Sequence, residues 1–172
     1  MGALFPREVL VANATARSGG AVGDAALVPA FTAKMARPGD RVLDFGAGPD
    51  AIHTRRLRDM GHDVTAHDFG QNRRPGLHDP SALTRQYDVV FASNVLNVAD
   101  TEALLLRTLD EIAAAVLPSG TAILNLPAEP RKRAWSGTPR DEARLACLLS
   151  ERFGSVRRLP RMWVCRLPRP RT

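Results

Sequence analysis

The run Val42-Leu43-Asp44-Phe45-Gly46-Ala47-Gly48 constrains this chain more than any other. An apolar stretch ends in an acid, and two glycines at a spacing of two follow before a segment with helical character. The apolar part reads as a buried parallel strand. Glycine carries no Cβ, so the backbone can turn sharply there and come close to a ligand. A helix starting just beyond the turn aims its unpaired N–H groups at whatever the turn holds. Strand, glycine turn and helix in that order predict an α/β chain with a ligand seated outside the strand's carboxyl end.

The remaining segments alternate in the same way. Asp24 is placed to cap a helix over 24–36, with Leu27, Val28, Phe31 and Met35 as its apolar stripe. Pro38-Gly39-Asp40 then turns the chain into the strand 41–45. Asp50 is placed to cap a helix over 51–60 whose buried side is Ile52, Leu57 and Met60. A short strand follows over 63–68, then a stretch rich in turn formers over 70–80, then a strong strand over 87–92. Asp100 or Thr101 caps a helix to Val116 that buries Leu105, Leu109, Ile112, Ala113 and Val116. Pro118-Ser119-Gly120 breaks it, and residues 121–126 form a buried strand. A basic loop over 127–139, a helix over 141–153 and two short strands, 156–159 and 162–167, complete the order. Strands alternating with helices predict a doubly wound, mostly parallel sheet, and the last two strands, joined at Pro160-Arg161, predict an antiparallel finish at one edge. One domain over 24–167 accounts for the length, with a mobile N-terminal segment over 1–23 and a basic tail over 168–172.

Composition narrows the setting. No apolar stretch reaches membrane-spanning length and the first residues lack the pattern of a secretory signal, so a cytoplasmic protein is expected. Cys147 and Cys165 lie far apart without metal-type spacing, and both read as small buried hydrophobes. His53, His62, His67 and His78 show no ligand spacing, so no metal is expected. The net charge of +6 is uneven: residues 128–172 hold 12 basic and 4 acidic side chains. Such a third can serve as a phosphate footprint or simply as a basic surface.

Gly46-Ala47-Gly48-Pro49-Asp50-Ala51 fits the dinucleotide pattern GxGxxA, and Asp68 lies about 20 residues further on, where an acid would hold a ribose hydroxyl. That much is compatible with NAD. Asp44 argues against it, because a carboxylate at the strand end repels a pyrophosphate and attracts a cofactor bearing ammonium and sulfonium groups. Asp79 adds an acid beyond the second strand. Asn94 ends the third in an amide whose carbonyl and N–H can both serve a polar ligand.

Together these segments resemble the class I S-adenosylmethionine-dependent methyltransferases. Residues 42–48 are similar to that superfamily's first motif, Asp68 to its ribose-binding acid, and His78-Asp79 to its acid near the adenine amino group. Residues 87–94 are similar to its fourth motif and Leu117-Pro118-Ser119-Gly120 to its Leu-x-Pro-Gly-Gly turn. The resemblance implies a Rossmann-like, mostly parallel, seven-stranded sheet with an antiparallel edge strand, and S-adenosyl-L-methionine as cofactor. It implies that Asp44, Phe45, Gly46, Ala47 and Gly48 line the methionine end and ribose. Asp68 would accept the ribose hydroxyls, Phe69 would pack on adenine, Asp79 would take the adenine amino group, and Asn94 would border the same site. Arg17 is a candidate for the methionine carboxylate.

Methyl transfer from a sulfonium is a direct displacement that chiefly requires the acceptor to be held in line. Asn94 and Asn97 are the candidates for orienting it. The loop after Asn94 departs from the Asn/Asp-Pro-Pro-aromatic signature of amino-methylating nucleic-acid enzymes, and no prolyl-cysteine nucleophile is present. Arg131, Lys132, Arg133 and Trp135 form a basic, aromatic loop suited to substrate contact, and a nucleic acid is among the acceptors it admits. A small-molecule methyltransferase and a non-catalytic cofactor-binding module of the same fold are the other readings.

Overall fold

The computed structural model describes Leu10 and residues 26–99, 101–126 and 142–169. Asp24, Arg17, the basic loop with Arg131, Lys132, Arg133 and Trp135, and nearly all of the 1–23 segment lie outside the described residues. The elements run α1 (Leu27–Met35), β1 (Arg41–Phe45), α2 (Ile52–Asp59), β2 (Asp63–His67), β3 (Tyr87–Ala92), α3 (Glu102–Ala115), β4 (Val116–Leu124), α4 (Glu142–Arg152), β5 (Phe153–Leu159) and β6 (Met162–Pro168).

They build one mixed sheet in the order β2-β1-β3-β4-β6-β5. The pairings among β2, β1, β3 and β4 are parallel, and β6 joins β4 and β5 antiparallel. Six strands pair among the described residues, one fewer than the seven expected. Between β2 and β3 the chain makes two 3-10 turns, Gly70–Asn72 and Ala82–Thr84. Glycines and prolines punctuate that stretch, and no apolar alternation runs long enough to line a sheet.

The pleat sends alternate residues to opposite faces. Val42, Val64, Val89, Phe91 and Ile123 pack with Val28 of α1 and Leu57 of α2. Leu43, Phe45, Val90, Ala92, Ala122 and Leu124 pack with Leu105, Leu109 and Ile112 of α3 and Leu145 and Leu149 of α4. Helices on both faces make the sheet doubly wound, and the carboxyl ends of β1, β2, β3 and β4 come out along one edge.

The expected apolar stripe of α3 is buried throughout, and Thr101 caps it by accepting the Leu104 N–H at 3.1 Å. Other local expectations are corrected. Asp50 does not cap α2; Ala51 holds the N-cap position in a left-handed conformation at φ 42°, and Asp50 pairs with Arg74 instead. The buried side of α2 is Ala51, Thr54 and Leu57, while Ile52 and Met60 are exposed, because only the 51, 54, 57 spacing points at the sheet. Pro118-Ser119-Gly120 does not end the regular structure before a later strand, since β4 starts at Val116 and runs through it. A Cβ at Gly120 would lie 2.9 Å from the carbonyl oxygens of Tyr87 and Asp88, so only glycine permits this approach to β3. Cys165 is buried as expected; Cys147 is exposed on α4, on the side turned from the Leu145, Leu148 and Leu149 stripe. No described helix is long and apolar enough to cross a membrane.

Candidate functional site

The pleat places Asp44 on the same face as Val42, an acid among apolar neighbours and only 1% exposed. Its Oδ2 accepts the Thr54 hydroxyl of α2 at 2.8 Å. Burial dominates its ionisation, with the charge of Asp68 adding to it and the Thr54 bond opposing, and pushes the carboxyl from 3.8 up to about 7. Such a carboxyl is poised to ionise when a cation arrives, and a positively charged ligand compensates the cost of keeping it charged.

Beyond Phe45 the chain turns at Gly46 and Gly48, with φ 79° and 73°, conformations that favour glycine. The N–H groups of Gly46 and Ala47 both donate to the His67 carbonyl at 2.9 Å, which staples the turn to the end of β2. A Cβ at Gly46 would lie 2.6 Å from Val95 Cγ2, so the segment after β3 rests directly on the turn. A Cβ at Gly48 would meet nothing within 4 Å.

Asp68 closes the turn from the other side. Its Oδ2 accepts the Gly48 N–H at 2.6 Å and its Oδ1 the Phe69 N–H at 2.7 Å. A carboxylate has about four lone-pair sites, so two oxygens holding one bond each can still accept ligand hydroxyls. Burial raises the Asp68 carboxyl above its ordinary value, and the two N–H donors hold it down. His78 secures the same turn. Its Nδ1 accepts the Arg74 N–H at 3.0 Å, which leaves the proton on Nε2 to be donated to the Gly48 carbonyl at 2.9 Å.

Asn94 ends the β3 edge with φ 57°, a left-handed conformation that asparagine tolerates. Its backbone N–H donates to Asn125 Oδ1 at 2.7 Å, and its own Oδ1 accepts from Asn125 Nδ2 at 2.8 Å. Of the amide's carbonyl and N–H, both expected to serve a ligand, Asn125 engages the carbonyl as well as the backbone N–H, and the side-chain NH2 is left. Asn97 stands on the 3-10 turn Leu96–Val98, and its buried Oδ1 has no hydrogen-bond partner among the described residues.

The aromatic candidates divide. Phe45 is fully buried, so only its backbone borders the turn. Phe69 is partly exposed and edge-on to Phe45 and His67, with centroids 5.5 and 4.6 Å away. His67 is buried between them; burial and the nearby Arg73 charge push its imidazole down to about 4, and it stays neutral. Asp79 is engaged elsewhere, accepting both N–H and Oγ–H of Ser81 at 2.7 Å and pairing with Arg85. This turn holds its carboxyl below the usual range. The structure thus gathers Asp44, Gly46, Ala47, Gly48, Asp68 and Asn94 around one turn, with Asp79 tied into an exposed turn of its own.

Thr54, His78, Val95 and Asn125 are the residues that reading along the chain missed. Only Asn125 carried a signal, an amide at the end of an apolar strand run, as at Asn94.

A buried acid behind a glycine turn, a second acid clasping it and an amide beside it form a cradle for a cationic adenosine cofactor. A family model described as a methyltransferase domain matches residues 23–167. The chain belongs to the class I S-adenosylmethionine-dependent methyltransferases. Several solved structures share the fold of this methyltransferase. A glycopeptide N-methyltransferase, MtfA, bound to S-adenosylhomocysteine is 15% identical, with a TM-score of 0.60 over 88% of this chain and 93% of that one. A 1,6-didemethyltoxoflavin-N1-methyltransferase from Burkholderia thailandensis is 22% identical, with a TM-score of 0.54 over 92% and 80%. A TehB-like methyltransferase from Corynebacterium glutamicum is 17% identical, with a TM-score of 0.53 over 80% and 84%. The methyltransferase spans about half the length of some other solved relatives. Comparison with curated proteins gives no match. S-adenosylmethionine is the cofactor of the methyltransferase, and the cradle fits it: open space at Gly48, free lone pairs on Asp68 and a buried acid at Asp44 suit a ribose and a cationic methionine end.

Proposed function

We propose that this enzyme methylates a small organic acceptor held beside Asn94, rather than a nucleic acid. The observation that carries this reading is the charge along the strand ends. The side chains that meet the glycine turn are Asp68, His78 and the apolar Val95, with the acid Asp44 and the amides Asn94 and Asn125 at the ends of the neighbouring strands. Of the nearby arginines, Arg73 donates its Nε–H to the Asp68 carbonyl at 3.3 Å, and Arg74 and Arg85 are paired with Asp50 and Asp79. Such a floor suits a cationic cofactor better than a phosphodiester backbone. Arginines of the basic C-terminal third are also engaged within the fold, as Arg144 with Glu102, Arg152 with Asp110 and Arg158 with Glu142. The 1,6-didemethyltoxoflavin and glycopeptide enzymes that share the fold lend support from their own acceptors.

S-adenosylmethionine supplies a methyl group activated by a sulfonium. Asp68 would accept the ribose hydroxyls, the backbone of residues 46–48 would border the sugar and methionine, and Asp44 would balance the positive charge. The Asn94 NH2 would orient the acceptor, and the arginines, lysine and tryptophan at 131–135 would contact it from the loop. Positioning supplies most of the rate, since an in-line displacement on a sulfonium needs no strong base when the nucleophile is an amine.

The test is transfer from methyl-tritiated S-adenosylmethionine by the purified protein to separate low-mass, protein, DNA and RNA fractions of a cell extract. Label in the low-mass fraction is expected; label confined to DNA or RNA overturns the reading.

A further inference from the structure

We propose that Asn125, just beyond β4, is a positioning residue that fixes which end of the Asn94 amide the cofactor site meets. The logic rests on donors and acceptors. The Asn94 backbone N–H can only donate, so the Asn125 atom 2.7 Å from it is the oxygen. The other end of the Asn125 amide is then the NH2, which can only donate. The Asn94 atom it meets at 2.8 Å is therefore the carbonyl oxygen. One backbone N–H thus sets two side-chain amides, and the Asn94 NH2 is left with no acceptor among the described residues.

Asn94 itself lies beside the glycine turn, because the next residue, Val95, packs on Gly46. The free end of the Asn94 amide is therefore a hydrogen-bond donor, with its oxygen engaged by Asn125. The group it holds must bring lone pairs: a carboxylate, a carbonyl or a ring nitrogen. Asn94 cannot be the group that takes a proton from the methyl acceptor. The lone pairs come either from the carboxylate of the cofactor's methionine end or from the acceptor itself. The choice between these sources deepens the small-acceptor reading and rests on it, whereas the amide orientation does not.

The test has two parts. The first follows side-chain amide hydrogen exchange in the nitrogen-15-labelled full chain, with Asn94→Ala and Asn125→Ala identifying the signals. The Asn125 NH2 is expected to exchange at least about tenfold more slowly than the Asn94 NH2, as for a bonded against a free amide. In Asn125→Asp the carboxylate still accepts the Asn94 N–H but cannot donate, so the Asn94 amide turns and its NH2 becomes protected. Equal exchange in the wild type, or no change in Asn125→Asp, overturns the proposal. This part decides it even if the protein transfers no methyl group.

The second part measures S-adenosylmethionine affinity and label transfer to the low-mass extract fraction. Asn94→Asp keeps the bond from Asn125 but replaces the donor with a charged oxygen, so thermal stability is expected to hold and a loss shared with the uncharged Asn94→Ala reports the missing donor. Affinity lower by about tenfold in both Asn94→Asp and Asn125→Asp assigns the lone pairs to the cofactor. Unchanged affinity with transfer lower by about tenfold assigns them to the methyl acceptor. Wild-type values for both quantities in both variants overturn the donor role.

Discussion

Asp68 at the end of β2 accepts the Gly48 N–H at 2.6 Å, so the acid that would hold a ribose also holds the turn on which the ribose would lie. Cofactor binding and local backbone order are therefore coupled through one carboxylate. Asp68→Ala is expected to weaken S-adenosylhomocysteine binding by about a hundredfold, through lost ligand bonds and a loosened turn. Asp68→Asn, which can still accept one N–H, should lose less. Isothermal titration on the two variants checks the ranking.

Asp44 sets a pH dependence whose sign follows from burial. Its carboxyl moves from 3.8 in the unfolded chain to about 7 in the folded one. The fold therefore prefers the protonated form. The stabilisation this brings is fully present below pH 3.8 and is lost as the pH rises through about 7. Asn at this position can accept the Thr54 hydroxyl without a charge. Cofactor-free Asp44→Asn is expected to gain on the order of 1–3 kcal/mol over the wild type at pH 8, and much less at pH 5. Urea unfolding at the two pH values measures it, and a wild-type advantage at pH 8 would contradict the buried-acid account.

Gly46 and Gly48 share a left-handed backbone but differ in surroundings. Alanine at 48 meets open space and should cost about 1 kcal/mol of backbone strain. Alanine at 46 adds a contact at 2.6 Å with Val95 Cγ2 and should cost about 2–4 kcal/mol. Val95→Ala in the Gly46→Ala background is expected to recover part of that loss. A denaturant double-mutant cycle gives the coupling.

Arg152 lies far along the sheet from the glycine turn, where it joins the end of α4 to Asp110 at 2.7 Å and to the Leu148 carbonyl at 2.9 Å. With 13% and 24% of the two side chains exposed, the pair is partly shielded from water. Arg152→Ala is expected to lower stability by about 1–2 kcal/mol and leave S-adenosylmethionine affinity unchanged. A weakened affinity would show that the two ends of the sheet communicate.

Where one residue's chemistry sufficed, reading along the chain succeeded. The strands Arg41–Phe45 and Tyr87–Ala92 have the bounds their apolar runs predict, and the α3 stripe is buried because helical period and cap agree. It failed where a distant group decided the outcome. Asp50 had the chemistry of a cap, but Arg74 takes its carboxylate. Pro118-Ser119-Gly120 had the chemistry of a break, but the missing side chain of Gly120 lets β4 pass close to β3.

The sequence by itself determined the order of strands and helices, the glycine turn and the acids that mark the cofactor, because these follow from local period, turn chemistry and charge. Only the tertiary structure decided that Thr54 caps the buried Asp44, that His78 pins Gly48, and that Asn125 turns the amide of Asn94. Each is a hydrogen bond between groups on different elements, and its direction is set by which donors and acceptors parallel pairing brings within reach.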